Sequence, residues 1–185
     1  MKILVFAASL RKESLNRKLI HRAVSVLKAT PGLEVDHADY REFEMPIYDG
    51  DLEEASGIPS GGQELIRRIQ ACDAIVISTP EYNGGIPGTL KNAIDWASRT
   101  TPIPFEKKPL LLLGASPGAL GAVRSLWHTK VTLEAIGTYV YPEVFGLSRA
   151  HLAFDESGNW GDPKNQTRLE KLLQSFLEYA KRLKA

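Results

Sequence analysis

The sequence predicts an α/β fold in which a doubly wound parallel sheet is covered by helices on both faces, and three observations carry that expectation. Short, near-continuous apolar runs recur at 2–7, 74–79 and 110–113; stretches of helical period separate them; and the alternation continues to the C-terminus without a linker or low-complexity break. Strands buried on both faces read as unbroken apolar runs, and right-handed crossovers leave few topologies for them. With 185 residues, 43% hydrophobic and 24% charged, the chain suits one core, so 1–185 is expected to form a single domain.

The elements follow in order. Residues 2–7 form the first buried strand. Residues 15–29 place Leu15, Leu19, Ile20, Ala23, Val24 and Leu27 on one helical face, with Arg17, Lys18 and Arg22 elsewhere. Leu33 and Val35 alternate with Glu34 and Asp36, as on a half-exposed strand near a sheet edge. Residues 46–62, rich in Asp, Gly and Pro, read as a loop whose Asp49, Asp51, Glu53 and Glu54 are solvated. Leu65, Ile66 and Ile69 mark a helix that ends by Asp73, before the buried strand at 74–79. A helix around 88–99, the strand at 110–113, a helix around 119–136 and a short strand within 138–145 come next. The last helix, about 165–184, carries Leu169, Leu172, Leu173, Phe176, Leu177, Ala180 and Leu183 on one face. Five βα units result.

Charge and composition narrow the function. Lys and Arg number 23 against 22 Asp and Glu, a net charge of +1 that offers no basic excess for nucleic acid or anionic lipid. Cys72 is the one cysteine, which excludes an intrachain disulfide and a Cys-based zinc cluster and fits a reducing compartment. His21, His37, His128 and His151 lack metal-ligand spacing, so no metal is expected. Residues 1–10 run into Arg11, Lys12 and Glu13 without a small-residue cleavage site, so the start reads as structural and a cytoplasmic location is expected. Neither a G-x-x-x-x-G-K-[ST] loop nor a G-x-G-x-x-G fingerprint occurs.

In doubly wound sheets ligands bind beyond the carboxyl ends of the strands, which directs attention to the loops at 8–16, 80–88 and 114–121. The first, Ala8-Ser9-Leu10-Arg11-Lys12-Glu13-Ser14-Leu15-Asn16, is crowded with hydroxyls, an amide and a guanidinium at the head of a helix. It has the makings of a phosphate cradle, or of a helix cap at Ser14 with Arg11 solvated. The second, Pro80-Glu81-Tyr82-Asn83-Gly84-Gly85-Ile86-Pro87-Gly88, is stiffened by prolines and loosened by glycines, and suits the face and edge of a planar ring, unless Tyr82 simply belongs to the core.

The third loop contains Gly114-Ala115-Ser116-Pro117-Gly118, a formal match to the nucleophile elbow of serine hydrolases. With Glu134 or Glu143 and His151 downstream, even the order of a triad is available. The residue after the nucleophile must donate its backbone N–H to the oxyanion hole, however, and Pro117 has none. A small polar cap over a flat ligand, from Ser116, Gly118 and Gly121, or a plain glycine-rich turn, suits the loop better.

Taken together, the three loops resemble the NADPH-dependent FMN reductase family of bacterial quinone, chromate and azo reductases, in the flavodoxin-like superfamily. The resemblance spans nearly the whole chain. Its most specific part is Pro80-Glu81-Tyr82-Asn83 with Pro87-Gly88 and Leu90-Lys91-Asn92-Ala93-Ile94-Asp95-Trp96; Ser9-Leu10-Arg11 with Ser14 and Asn16 matches the phosphate loop, although Ala8 stands where a glycine often precedes the serine. It implies a five-stranded sheet in the order 2-1-3-4-5 and bound FMN. Ser9, Arg11, Ser14 and Asn16 would hold the phosphate, Pro80, Glu81, Tyr82 and Asn83 would line the isoalloxazine, and Ser116 and Gly118 would approach it. Gly121-Ala122 stands where the family often has two glycines.

The same resemblance implies a ping-pong cycle in which NADPH or NADH reduces the flavin and is replaced by a small-molecule acceptor: a quinone, azo compound, metal oxyanion or free flavin. No side-chain acid or base is required, since the chemistry is the cofactor's. An electron-carrier flavodoxin is the rival; such carriers are typically acidic, unlike this chain. Family members form dimers and tetramers, so a homodimer or homotetramer is expected, with Trp96 and Trp127 either at an interface or in the core.

Overall fold

Strands and helices alternate along residues 1–184, which the computed structural model describes. In chain order they are β1 (Lys2–Ala7), α1 (Leu15–Lys28), β2 (Glu34–His37), α2 (Gly50–Ser56), α3 (Ser60–Ala71), β3 (Ala74–Thr79), α4 (Gly88–Ala97), β4 (Pro109–Ala115), α5 (Val123–Glu134), β5 (Tyr139–Val140), β6 (Phe145–Leu147) and α6 (Pro163–Lys184). Short 3-10 turns lie at Tyr40–Phe43 and Ala150–Leu152.

Every ladder is parallel and the order is β2-β1-β3-β4-β5, with β6 also pairing β4. The single short strand expected within 138–145 is thus two pieces sharing the fifth position: Tyr139 lies opposite Pro109, and Phe145 opposite Leu113. Tyr139 and Tyr141 donate their N–H groups to Lys108 O (3.1 Å) and Leu110 O (2.7 Å), and the pairing with β4 resumes at Phe145.

Alternating side chains of the central strands feed two cores. Ile3, Val5 and Ala7 pack with Leu113 beneath α1 and α6, whereas Leu4, Phe6, Ile75 and Ile77 pack on the opposite face with α3, α4 and α5. The edge strand β2 is only half-buried and is crossed by a Lys2–Glu34 ion pair of 2.9 Å.

Three sequence expectations are corrected. The region 46–62 is not a loop throughout, because Asp49 accepts the Asp51 N–H over 2.9 Å and caps α2, and α3 already begins at Ser60. Its acidic residues are not merely solvated: Glu53 accepts from Tyr48 Oη at 2.8 Å and pairs with Arg99 at 3.1 Å. The helix expected from 119 starts only at Val123, since Gly121 (φ +60°) and Ala122 (φ +65°) are both left-handed. A Cβ on Gly121 would lie 2.8 Å from Ser148 N, so only glycine fits there.

Candidate functional site

The parallel register brings the ends of β1, β3 and β4 side by side, with Ala7 opposite Ser78 and Thr79 opposite Gly114. The three loops that leave these ends enclose a concavity of about 360 Å³ lined by residues of all three, among them Ser9, Arg11, Ser14, Pro80, Tyr82 and Ser116. Its position beyond the carboxyl ends, where the order reverses between β1 and β3, is where the topology places a ligand.

The first loop presents donors. No protein acceptor serves the amides of Arg11 through Leu15 among the described residues, and these amides head a helix whose dipole favours an anion. Ser9 is only 4% exposed, yet its hydroxyl makes no protein hydrogen bond among those residues. Ser14 caps α1, its Oγ accepting from Asn16 N at 3.2 Å and Arg17 N at 3.4 Å, which leaves the hydroxyl proton to donate. Arg11 is exposed on the rim.

Asn16 behaves differently from its neighbours. Its Nδ2 donates to Ala115 O at 3.0 Å, and its Oδ1 accepts from Ala115 N at 2.9 Å and Ser78 Oγ at 2.8 Å. The carboxamide therefore clamps the head of α1 to the ends of β3 and β4.

In the second loop, Ser125 Oγ donates to Pro80 O at 2.8 Å, which fixes the first residue after β3. Glu81 belongs to the lining, but its carboxylate is engaged by α5. Its carboxylate accepts from Arg124 Nε at 2.8 Å, from Arg124 Nη2, and from the amides of Arg124 (3.1 Å) and Ser125 (3.4 Å), thereby capping α5. Burial pushes this carboxyl up, but the Arg124 guanidinium and the two amides outweigh it and hold the group below the ordinary glutamate value. Asn83 (φ +51°) and Gly84 (φ +77°) form a tight turn closed by Tyr82 N to Gly85 O (3.3 Å) and Gly85 N to Tyr82 O (3.0 Å). Asn83 sits exposed at its tip, outside the lining, while Tyr82 is 49% exposed and lines the concavity rather than joining the core.

The third loop is a serine turn. Ser116 Oγ accepts the Gly118 N–H over 3.0 Å, and the amides of Arg149 and Ala150 donate to Gly118 O and Ser116 O, each over 3.0 Å. Ser116 and His151 line the same concavity but share no hydrogen bond, and Glu134 pairs with Lys130 instead. The geometry gives Ser116 no general base and leaves Pro117 unable to build an oxyanion hole.

Sequence reasoning assigned no ligand role to Glu13, Leu15, Ala115, Pro117 and His151, which complete the lining. Most carry no chemical signal of their own, and only their positions beside matched residues could have revealed them. Among the described residues no group of three or more His, Cys, Asp or Glu lies together to hold a metal, and no helix is long and apolar enough to cross a membrane.

A parallel sheet in this order, with an anion-ready helix head and two further loops closing over one concavity, defines a flavodoxin-like nucleotide-binding protein. Residues 1–152 match the family model described as NADPH-dependent FMN reductase. The chain is 36% identical over 186 residues to an NAD(P)H-dependent FMN reductase of Pseudomonas aeruginosa, covering 100% of this chain and 97% of that one. It is 32% identical to a quinone reductase of Escherichia coli, with the same coverage. Among solved structures, the flavoenzyme NAD(P)H:(acceptor) oxidoreductase FerB of Paracoccus denitrificans superposes with a TM-score of 0.83 at 32% identity over 98% of this chain and 97% of that one. An archaeal flavodoxin, 10% identical with a TM-score of 0.64, shares the fold alone. The chain belongs to the NADPH-dependent FMN reductase family; it is an oxidoreductase with FMN as cofactor and NAD(P)H as electron donor.

Proposed function

We propose that the 1–185 chain works as one FMN-binding unit that passes electrons from NADPH or NADH to a small acceptor, a quinone first, with azo compounds, metal oxyanions and free flavin as further acceptors. The observation that supports this most is the row of unpartnered amides from Arg11 to Leu15, joined through one concavity to the strand-end loops at 80–82 and 115–117. These residues fit the group: the amides with Ser9, Ser14 and Arg11 suit a phosphate, and Pro80, Tyr82 and Ser116 suit a flat ring, with Gly118 outside the lining and holding Ser116 through its amide. Asn16 sets the spacing between the two ends, Glu81 braces the second loop through α5, and Asn83 shapes its turn.

FMN, held by these residues, would supply the hydride and electron-transfer chemistry. The protein's share is to bind, orient and admit; no side chain needs to move a proton. Exposed Tyr82 and His151 leave the mouth open, so donor and acceptor can use it in turn, a ping-pong exchange. An anaerobic titration of the FMN-loaded protein with NADPH tests the reading. Bleaching of the flavin bands to a stoichiometric end point, reversed by a quinone, is expected, and bound flavin that NADPH leaves oxidised overturns it. A ternary complex required before bleaching in stopped flow would dismiss the ping-pong order.

A homodimer or homotetramer accompanies this reading. Trp96 is fully buried, its indole donating to Pro46 O over 2.8 Å, so it belongs to the core and not to an interface. Trp127 and Val131, one turn apart on α5 and 59% and 68% exposed, form the apolar face that suits a second copy. A cytoplasmic location fits the lone, buried Cys72.

A further inference from the structure

A second concavity, of about 430 Å³, adjoins the first across Glu13 and Ser14 and runs along α1 beneath the turn at 156–158. Lys12, Arg17, Lys18 and Arg22 line it, with Glu13 and Glu156 as its acidic members. Arg17 is already neutralised by Asp39 at 3.1 Å. Lys12, Lys18 and Arg22 have no carboxylate at ion-pair distance among the described residues, and Lys18 and Arg22 are half-buried. Arg22 reaches only a neutral partner, donating from Nη1 to Asn159 Oδ1 at 2.9 Å, while its Nε is buried without an acceptor. Three cations without ion-pair contacts among the described residues outnumber the two carboxylates of the lining, which leaves a groove of positive potential that an anion relieves.

We propose that this groove receives the phosphorylated adenosine end of the nicotinamide donor, with Lys18 and Arg22 pairing to its 2′-phosphate. The proposal rests on the flavin-reductase reading: the shared wall at Glu13 and Ser14 joins the groove to the phosphate end of the first concavity, so a donor whose nicotinamide lies at the ring end would run the length of that concavity and leave its adenosine end in the groove. A phosphate monoester carries about −1.5 to −2 charges at neutral pH, a better match to Lys18 and Arg22, neither of which has an ion-pair partner among the described residues, than the singly charged phosphates of the pyrophosphate. The groove thereby supplies a preference for the phosphorylated donor where no fingerprint motif does.

Calorimetric titration of the FMN-loaded protein with 2′,5′-ADP, 5′-AMP and inorganic phosphate tests the assignment without turnover. The expected result is that 2′,5′-ADP binds about tenfold more tightly than 5′-AMP, and that Lys18→Glu and Arg22→Gln each erase the difference. Lys18→Gln repeats the test if charge reversal disturbs α1. Equal binding of the two adenosine phosphates, or a preference that survives the substitutions, overturns the assignment; so does inorganic phosphate binding as tightly as 2′,5′-ADP, which would make this a free-phosphate site. NADPH and NADH titrations of the same samples separate the two readings. Flavin bleached by both donors with equal half-saturation rejects the groove alone, whereas flavin bleached by neither rejects the reductase reading and the groove with it.

Discussion

The carboxamide of Asn16 pairs with the backbone of Ala115 as a neighbouring strand would, donating to its carbonyl and accepting from its amide at 3.0 and 2.9 Å, although 99 residues separate them. One side chain thus sets the distance between the phosphate end and the ring end of the site. Asn16→Asp keeps the shape but sets a carboxylate oxygen against the Ala115 carbonyl. A loss of about 2–3 kcal/mol in urea unfolding is expected, together with weaker FMN binding by fluorescence quenching. An unchanged midpoint would show that the clamp is dispensable.

Arg11 separates affinity from stability. It is exposed and has no protein partner among the described residues. Arg11→Ala is expected to raise the FMN dissociation constant about tenfold while the thermal midpoint stays put, the signature of a lost charge-assisted contact to phosphate. Equal FMN affinity would place the phosphate elsewhere.

Glu81 makes the second loop sensitive to acid. Its folded pKa lies below its ordinary value, so its contribution is complete above about pH 4.5 and is lost as pH falls through the folded value. Glu81→Gln is expected to cost about 2 kcal/mol at pH 7 and to flatten the acid limb of a stability–pH curve. An acid limb of undiminished slope would assign it to other carboxylates.

The edge-to-face pair of His21 and His37, 5.2 Å between centroids, acts in a higher pH window. Burial lowers both, and Arg17 lowers them further, with His21 adding to the effect on His37. Stability is therefore complete above pH 6.5, where both are neutral folded or unfolded, and falls on acidification because the unfolded chain binds protons first. The thermal midpoint should drop between pH 6.5 and 5, and the His21→Gln, His37→Gln double variant should drop less. Parallel curves would remove the pair from the account.

Trp127→Glu on the exposed face of α5 should shift sedimentation toward monomer. Oligomers unaffected by that charge would have to assemble through another face.

Where burial is regular the sequence was legible: the unbroken runs of β1, β3 and β4 and the stripes of α1 and α6 announce themselves, and the strand order follows the family resemblance. The late start of α5 is local, set by the left-handed Gly121 and Ala122, whereas other misreadings come from long-range contacts that local pattern does not carry. Nothing near Asp49 reveals that Asn92 and Trp96 reach Pro46 O, each over 2.8 Å, and fasten the segment preceding α2. Much of the distinctive string at 87–96 is therefore scaffold. The same holds for the loops, where Asn16 and Glu81 brace the site through partners 99 and 43 or more residues away. Asn83 was read from the resemblance as lining the ring; the left-handed Asn83 and Gly84 form a turn, a chemistry that an Asn-Gly pair carries in sequence.

Cys72 packs under α3, donating its S–H to Ile69 O over 3.2 Å, and burial pushes its pKa up to about 11. At neutral pH roughly one such thiol in ten thousand is thiolate, the form that peroxide attacks. Sulfenic acid formation and its irreversible sequels are correspondingly slow. An oxidoreductase thus keeps its one sulfhydryl buried and protonated, out of ready reach of oxidants.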